Sequence, residues 1–379
     1  MKAKSIKGNS PEDIQSALNQ SIADGFKPTL AIVFISVKQY RNAICKILDE
    51  VGTAIFGATT NGEFIDEELA NGTIAILLLD VNPAHFTIFF EEFDGNNYRE
   101  TAQAIVKKAK ERFASPAFLI SCSNLETDRE ALLTGFEDIA GKEVEVFGGG
   151  AGDDLAFTEQ FVFKNGIESN SGIVAIVLDD EKVMIRGRAT CGWKAVGTPK
   201  TVTKSEGNHV FTVENVPVLE LTRKFSGLEI LSGDTLEVTN QIAISFPLQL
   251  QREKGDPIMR TGLTVNFDDG SFICSGSVPQ GSKVRFSIPP DFDVMEKVVK
   301  VLEELKATEM PEADALVVFS CAGRLLSFGP MMTIEIEGIC EVWNVPMAGM
   351  FSMAEFGRAN NGDLELHNLT TCCVALKEK

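Results

Sequence analysis

Histidine is scarce in this chain: among 379 residues only His85, His209 and His367 occur. That shortage argues against a histidine-rich metal centre and leaves few imidazoles for acid–base work. Long apolar runs are missing as well, and none approaches the ~20 residues that span a bilayer. The basic residues of MKAKSIKGNSPEDIQSALNQ have no apolar stretch behind them, so no secretory signal is expected there. The eight cysteines include no CxxC pair and no regular framework, and are expected as buried, reduced thiols of a cytoplasmic protein. Nucleophile-elbow (GxSxG), HExxH and CxxCH motifs are absent. GFEDIAGKE (Gly135–Glu143) has five residues between its glycines and no Ser or Thr after Lys142, so it reads as a turn, not a phosphate loop. Positive charge is short too. A net charge of −19 repels nucleic acid and anionic membrane surfaces.

One strand–turn–acid pattern is present three times. FGATTNGEF (Phe56–Phe64), FGGGAGDD (Phe147–Asp154) and GMFSMAEFG (Gly349–Gly357) each run an apolar strand into glycine and reach a carboxylate six residues later. The marker pairs are Gly57 and Glu63, Gly148 and Asp154, and Gly349 and Glu355. Repetition on this scale points to duplicated supersecondary units.

The surrounding periodicity agrees. Ser10-Pro11-Glu12-Asp13 opens a helix to about Ala23. Leu30–Ser36 reads as a strand buried on both faces, and a second helix covers about Gln39–Glu50. Strand TAIFG, the first glycine turn and strand Thr73–Asp80 follow, with HFTIFFEEF expected to pair back on that last strand. The α-β-α-β-β order recurs in helix Tyr98–Phe113, strand Phe118–Ser121, helix Asp128–Ala140, strand VEVFG and strand Ile173–Asp180. A third copy uses helix Asp291–Ala307, strand Leu316–Ser320, a helix near Thr333–Glu341, strand VPMAG and strand Thr371–Leu376. From about residue 182 to 290, apolar and polar residues alternate between Gly, Asp and Asn turns, which is a hairpin pattern, with one short helix over Val218–Phe225. The expected fold is α/β: repeated α-β-α-β-β units forming mixed sheets with flanking helices, plus a β-rich antiparallel portion.

The glycine–acid loops lie at one end of related strands, so Thr60, Glu63, Gly149, Gly150, Asp153 and Asp154 are candidate ligand-binding residues. The two aspartates could hold a hard cation, although capping the next turn is the favoured reading. No metal site is assigned. Arg324, in the expected SCAGR loop (Ser320–Arg324), faces Glu355 across adjacent parallel strands, where open α/β sheets bind ligands. A zwitterion would satisfy both groups; an Arg324–Glu355 salt bridge is the equal alternative. Ser320-Cys321 and Ser121-Cys122 end equivalent strands. One of those thiols as a nucleophile is the minor reading, because no histidine is placed by sequence as its base. His367-Asn368 completes the candidates, with a turn as the structural alternative.

In order, GATTNGEF, GGGAGDD, RG followed by CGW, GDPIMR, SCAGR, the Pro346–Gly357 run and HN before the last strand resemble the FIST family of sensory modules. The resemblance implies a FIST N-terminal domain over residues 28–226 and a FIST C-terminal domain over 227–360, with 361–379 supplying a closing strand. It also implies binding of small ligands, amino acids or related carboxylates among them, and some relatives are haem-containing nitric oxide sensors. Ala58-Thr59 stand where the family often has Cys-Ser, and the stretch before the last glutamate is MFSMAEF. The expectation is a cytoplasmic ligand-binding sensory protein without catalysis and without an obligatory cofactor. Its partner would be a separate signalling protein such as a histidine kinase or chemoreceptor, with neither nucleic acid nor membrane insertion involved. The alternatives are a cysteine-dependent acyl or amide enzyme, and a haem sensor with His367 or His85 as axial ligand. The ligand pocket is expected where the two domains meet.

Overall fold

The computed structural model describes residues 1–228 and 244–379; the first part of the expected C-terminal domain, 229–243, lies outside the described residues. Three six-stranded sheets share one strand order. At the centre of each is a parallel pair: Leu30–Ser36 with Ala54–Thr60, Pro116–Cys122 with Val146–Gly150, and Ala315–Cys321 with Met347–Ser352. A closing strand (Ile74–Leu79, Gly172–Asp179, Thr371–Glu378) runs antiparallel to the first of the pair. A leading strand (Ala3–Gly8, Phe86–Glu92, Val183–Thr190) then pairs with the closing strand.

The other flank of each sheet is borrowed. Hairpin Glu63–Ile65/Glu68–Ala70, which follows the first parallel pair, adds to Met347–Ser352 of the third sheet. Hairpin Glu355–Arg358/Leu364–His367 from the third unit adds to Val146–Gly150 of the second. Hairpin Val162–Lys164/Ile167–Ser169 from the second adds to Ala54–Thr60 of the first. The exchange is therefore cyclic. It explains the glycines: Gly57 and Gly349 lie within strands, not in turns, and a Cβ on either would sit 2.1 Å from the ring of Phe163 or Phe64 on the borrowed hairpin. The turns come after Thr60, Gly150 and Ser352, where the strands end.

The inner faces of all three sheets meet in one core containing Phe34, Phe147 and Phe319, with Phe34 and Phe319 edge to face at 5.7 Å. Outer faces are covered by helix pairs Pro11–Ile22 and Arg41–Asp49, Tyr98–Arg112 and Arg129–Ala140, and Asp293–Thr308 and Met332–Trp343. Strands covered on both sides must be apolar throughout, as in LAIVFIS, where every residue is buried. Ser10 caps the first helix by accepting from Asp13 N, and Asp128 caps the fourth by accepting from Ala131 N.

Four expectations need correction. Each unit begins with a strand, so Phe86–Glu92 pairs with Gly172–Asp179 of its own unit and not with the preceding strand. Val183–Thr190 belongs to the third sheet, and the β-rich portion (Ala195–Ser287) is inserted between that strand and the Asp293–Thr308 helix. The SCAGR segment turns into a helix, Ala322–Phe328, followed by a 3-10 turn at Gly329–Met331. Gly135–Ala140 forms the last turns of a helix that Gly141 ends at φ +94°. Within the insertion, strands Ala195–Glu206 and Lys283–Ser287 pair in one antiparallel sheet.

Candidate functional site

The third parallel pair ends in a dense buried polar cluster. Arg324, one turn into the Ala322–Phe328 helix, is fully buried, as is Glu335 on the next long helix. Its Nε and Nη2 donate to the two oxygens of Glu335, and its Nη1 donates to the carbonyls of Cys191 (2.8 Å) and Leu369 (3.1 Å). The guanidinium also lies over the Trp193 and Phe328 rings, 5.4 and 5.8 Å from their centroids. Glu335, not Glu355, is therefore the ionic partner of Arg324. Glu335 lies within the helix expected near Thr333–Glu341, which runs over Met332–Trp343, but nothing in the sequence marks it as that helix's one buried acid.

Glu355 occupies a separate cage. Ser352 Oγ donates to its Oε1 (2.8 Å), while Thr370 donates to its Oε2 from Oγ1 (2.8 Å) and N (3.4 Å). Burial outweighs these bonds and pushes the carboxyl up to about 8, so it is largely protonated at neutral pH. Cys321, at the end of the first strand, is the remaining neighbour of Glu355, and burial pushes its thiol well above the usual range. Ser320 Oγ donates to Thr371 Oγ1 (3.0 Å), Thr371 Oγ1 donates to Glu335 (2.5 Å), and Ser352 Oγ lies 3.1 Å from the Ser320 carbonyl, linking the two acids' surroundings. Gly149 pairs with Glu355 and Gly150 N donates to the Ala354 carbonyl, so the bare second-unit strand packs directly against this cage.

The segment His367–Thr371 joins the cluster to the β-rich portion. His367 Nε2 lies 3.1 Å from the Gly357 carbonyl, and burial lowers its pKa to about 4, which keeps the ring neutral. Asn368 Oδ1 accepts from Ser275 Oγ (2.8 Å) and Arg260 Nη1 (3.4 Å). Arg260, the last residue of GDPIMR, also donates to the Leu366 carbonyl (3.1 Å) and to Glu130 (2.8 Å). Between them Leu369 is buried at φ +55°, a conformation that bulky residues seldom adopt. Two buried arginines thus hold one strained segment. Sequence reasoning saw GDPIMR as a family motif but gave Arg260 no role.

The remaining candidates lie in a second cluster, at the end of the first parallel pair. Glu63 accepts from Thr60 Oγ1 and from Thr73 N (3.1 Å) and Oγ1 (3.0 Å), a cage that parallels that of Glu355, with Thr60 in the place of Ser352 and Thr73 in that of Thr370. Burial again raises its pKa, to about 7. Asp153 accepts from the backbone N–H groups of Phe157, Thr158 and Glu159, which is the turn-capping arrangement. Asp154 accepts from Ser36 Oγ (2.8 Å) and pairs with Lys38 (3.0 Å). Asn61, which sequence reasoning passed over, stitches these loops by accepting from Asp153 N and Leu155 N.

Both histidines considered as axial haem ligands are hydrogen-bonded within the fold. His367 is buried with Nε2 on a carbonyl, and His85 Nδ1 is engaged by Glu378 at 3.0 Å. Among the described residues no three His, Cys, Asp or Glu side chains group to hold a metal ion, and no helix is long and apolar enough to cross a membrane.

Residues 29–215 match the FIST N domain and residues 228–358 the FIST C domain, and the chain belongs to the FIST family. Domains of this family are sensory, signal-transduction domains thought to bind small ligands. A search of curated proteins finds no match.

Proposed function

We propose that this FIST protein senses a small ligand of the amino-acid or small-carboxylate class at the carboxyl edge of the third sheet. The site would lie where Cys321, Arg324, Glu355 and the His367–Thr371 segment meet the β-rich portion. One observation carries the reading. Trp193 is buried, its ring packs edge to face on Phe328 (5.8 Å) and under Arg324, yet among the described residues its indole Nε1 has no hydrogen-bond partner. An unpaired buried donor costs about 1–3 kcal/mol. A ligand carboxylate beside the Arg324 cation would satisfy it, at the edge where α/β sheets take ligands.

Binding without turnover fits the same groups. The Cys321 and Cys122 thiols are both pushed up by burial, and the three imidazoles are engaged elsewhere. Eight buried, unpaired cysteines support a reducing, cytoplasmic setting. The three sheets with one strand order support the reading of the chain as tandem copies of one unit. Output would pass to a separate signalling protein.

Thermal-shift screening of amino acids and small carboxylates tests the proposal on the wild type and on Trp193→Phe, which keeps the ring and deletes the N–H. We expect at least one compound to raise Tm. Trp193→Phe should weaken it about five- to tenfold, the worth of one hydrogen bond of about 1–1.5 kcal/mol, while the unliganded Tm stays level or rises. A panel in which no compound shifts the wild type refutes this ligand class. Equal affinity in Trp193→Phe removes Trp193 from the site.

A further inference from the structure

We propose that the groove between helices Asp293–Thr308 and Met332–Trp343 is the docking site for a basic amphipathic helix of a separate protein. The groove encloses about 610 Å³, with Val299, Ala307, Gly338 and Val342 in its floor and Glu303 and Glu341 on its rims. Gly338 is what lets the helices close on each other: a Cβ there would sit 2.7 Å from Val299 Cγ2. The apolar floor does not stop at the groove. Ile334, one turn before Gly338, is 50% exposed and Met331 is 42% exposed, so an apolar stripe runs along one face of the helix and out onto the turn before it.

Charge selects the occupant. The carboxylates of Glu303 and Glu341 are exposed, with Glu304 and Glu337 exposed on the same two helices. Among the described residues the one cation in the lining, Lys306, is engaged: its Nζ donates to the Val342 carbonyl at 2.5 Å. An apolar stripe between acidic rims is complementary to a helix whose aliphatic face is flanked by Lys or Arg. A second copy of this chain is a poor occupant, since both surfaces would be acidic and each molecule carries a net charge of −19.

The groove also has a direct line to the buried cluster. The helix that presents Ile334, Gly338 and Glu341 outward presents Glu335 inward, where it grips Arg324. A partner helix seated in the groove would therefore rest on the element that fixes the Arg324 cation. Only this coupling depends on the ligand reading; the docking surface stands without it.

The test uses the full-length protein and a labelled synthetic helix of about 18 residues, five turns, with a Leu/Ala stripe flanked by Lys. A twin peptide carries Glu in place of Lys. Fluorescence anisotropy should show binding of the Lys peptide and not of its twin. Glu303→Lys/Glu341→Lys should weaken that binding at least tenfold, and Ile334→Asp should do likewise. Glu50→Lys/Glu111→Lys, which reverses two exposed acids elsewhere, should leave it within about twofold, the size of a screened long-range effect. The proposal is overturned if the Lys peptide does not bind, if Ile334→Asp leaves binding intact, or if the Glu50/Glu111 reversal weakens it as much as the groove reversal. Failure here with a positive ligand screen would leave the sensing site standing, and the converse result would leave the docking surface standing.

Discussion

Glu355 makes stability fall as pH rises through neutrality, and Glu355→Gln isolates the effect. The carboxyl titrates near 4.5 when solvated and near 8 in the folded chain, because burial outweighs the hydroxyl and amide donors around it. Between those values the folded state holds a proton that the unfolded state has lost. Stability from this group is thus complete below about pH 4.5 and is lost as pH climbs to about 8. The slope is about 1.4 kcal/mol per pH unit per proton, or about 4–5 kcal/mol over the whole window. Glu63 adds a second window of the same sign that closes near pH 7. His367 acts oppositely: its folded pKa of about 4 lies below the solvated 6.5, so it adds stability as pH rises between those values. The cleanest interval therefore runs from about pH 6.5 to 8, above the midpoint at which His367 loses its proton in the unfolded chain. Urea unfolding followed through the buried Trp193 and Trp343 should show the wild type losing about 2 kcal/mol across that interval beyond any loss in Glu355→Gln. Parallel pH profiles for the two proteins would refute the assignment of a neutral, buried Glu355.

Two further outcomes follow from the geometry. Arg324→Met should destabilise by about 3–5 kcal/mol, because it leaves Glu335 buried without its cation, while Arg324→Met/Glu335→Leu should recover most of that loss; denaturant midpoints of the four proteins in the cycle measure it. Gly349→Ala should cost about 1–3 kcal/mol through overpacking against Phe64, and combining it with Phe64→Leu should cost less than the two changes summed, read as Tm shifts.

The linear pattern alone determined the helices that cover the three sheets, the parallel strand pairs and their closing strands. Those elements are specified locally: LAIVFIS and LVVFS are apolar up to their terminal serines because both faces are covered, and Ser10-Pro11 is a cap that acts within one turn. The matched acids Glu63 and Glu355 were visible as equal spacings from glycine, and the structure gives both parallel hydroxyl-lined cages. Tertiary structure decided which sheet each hairpin joins, because Glu63–Ile65 carries no mark that its partner is Met347–Ser352, almost 300 residues away. It also decided that Gly57 and Gly349 answer to a phenyl ring from another unit and not to a turn. Arg324 shows the same limit at the site. Its neighbourhood was legible, but the choice of Glu335 over Glu355 rests on how two helices and a strained loop pack around a guanidinium, and Glu355, buried without a cation beside it, has its pKa pushed up.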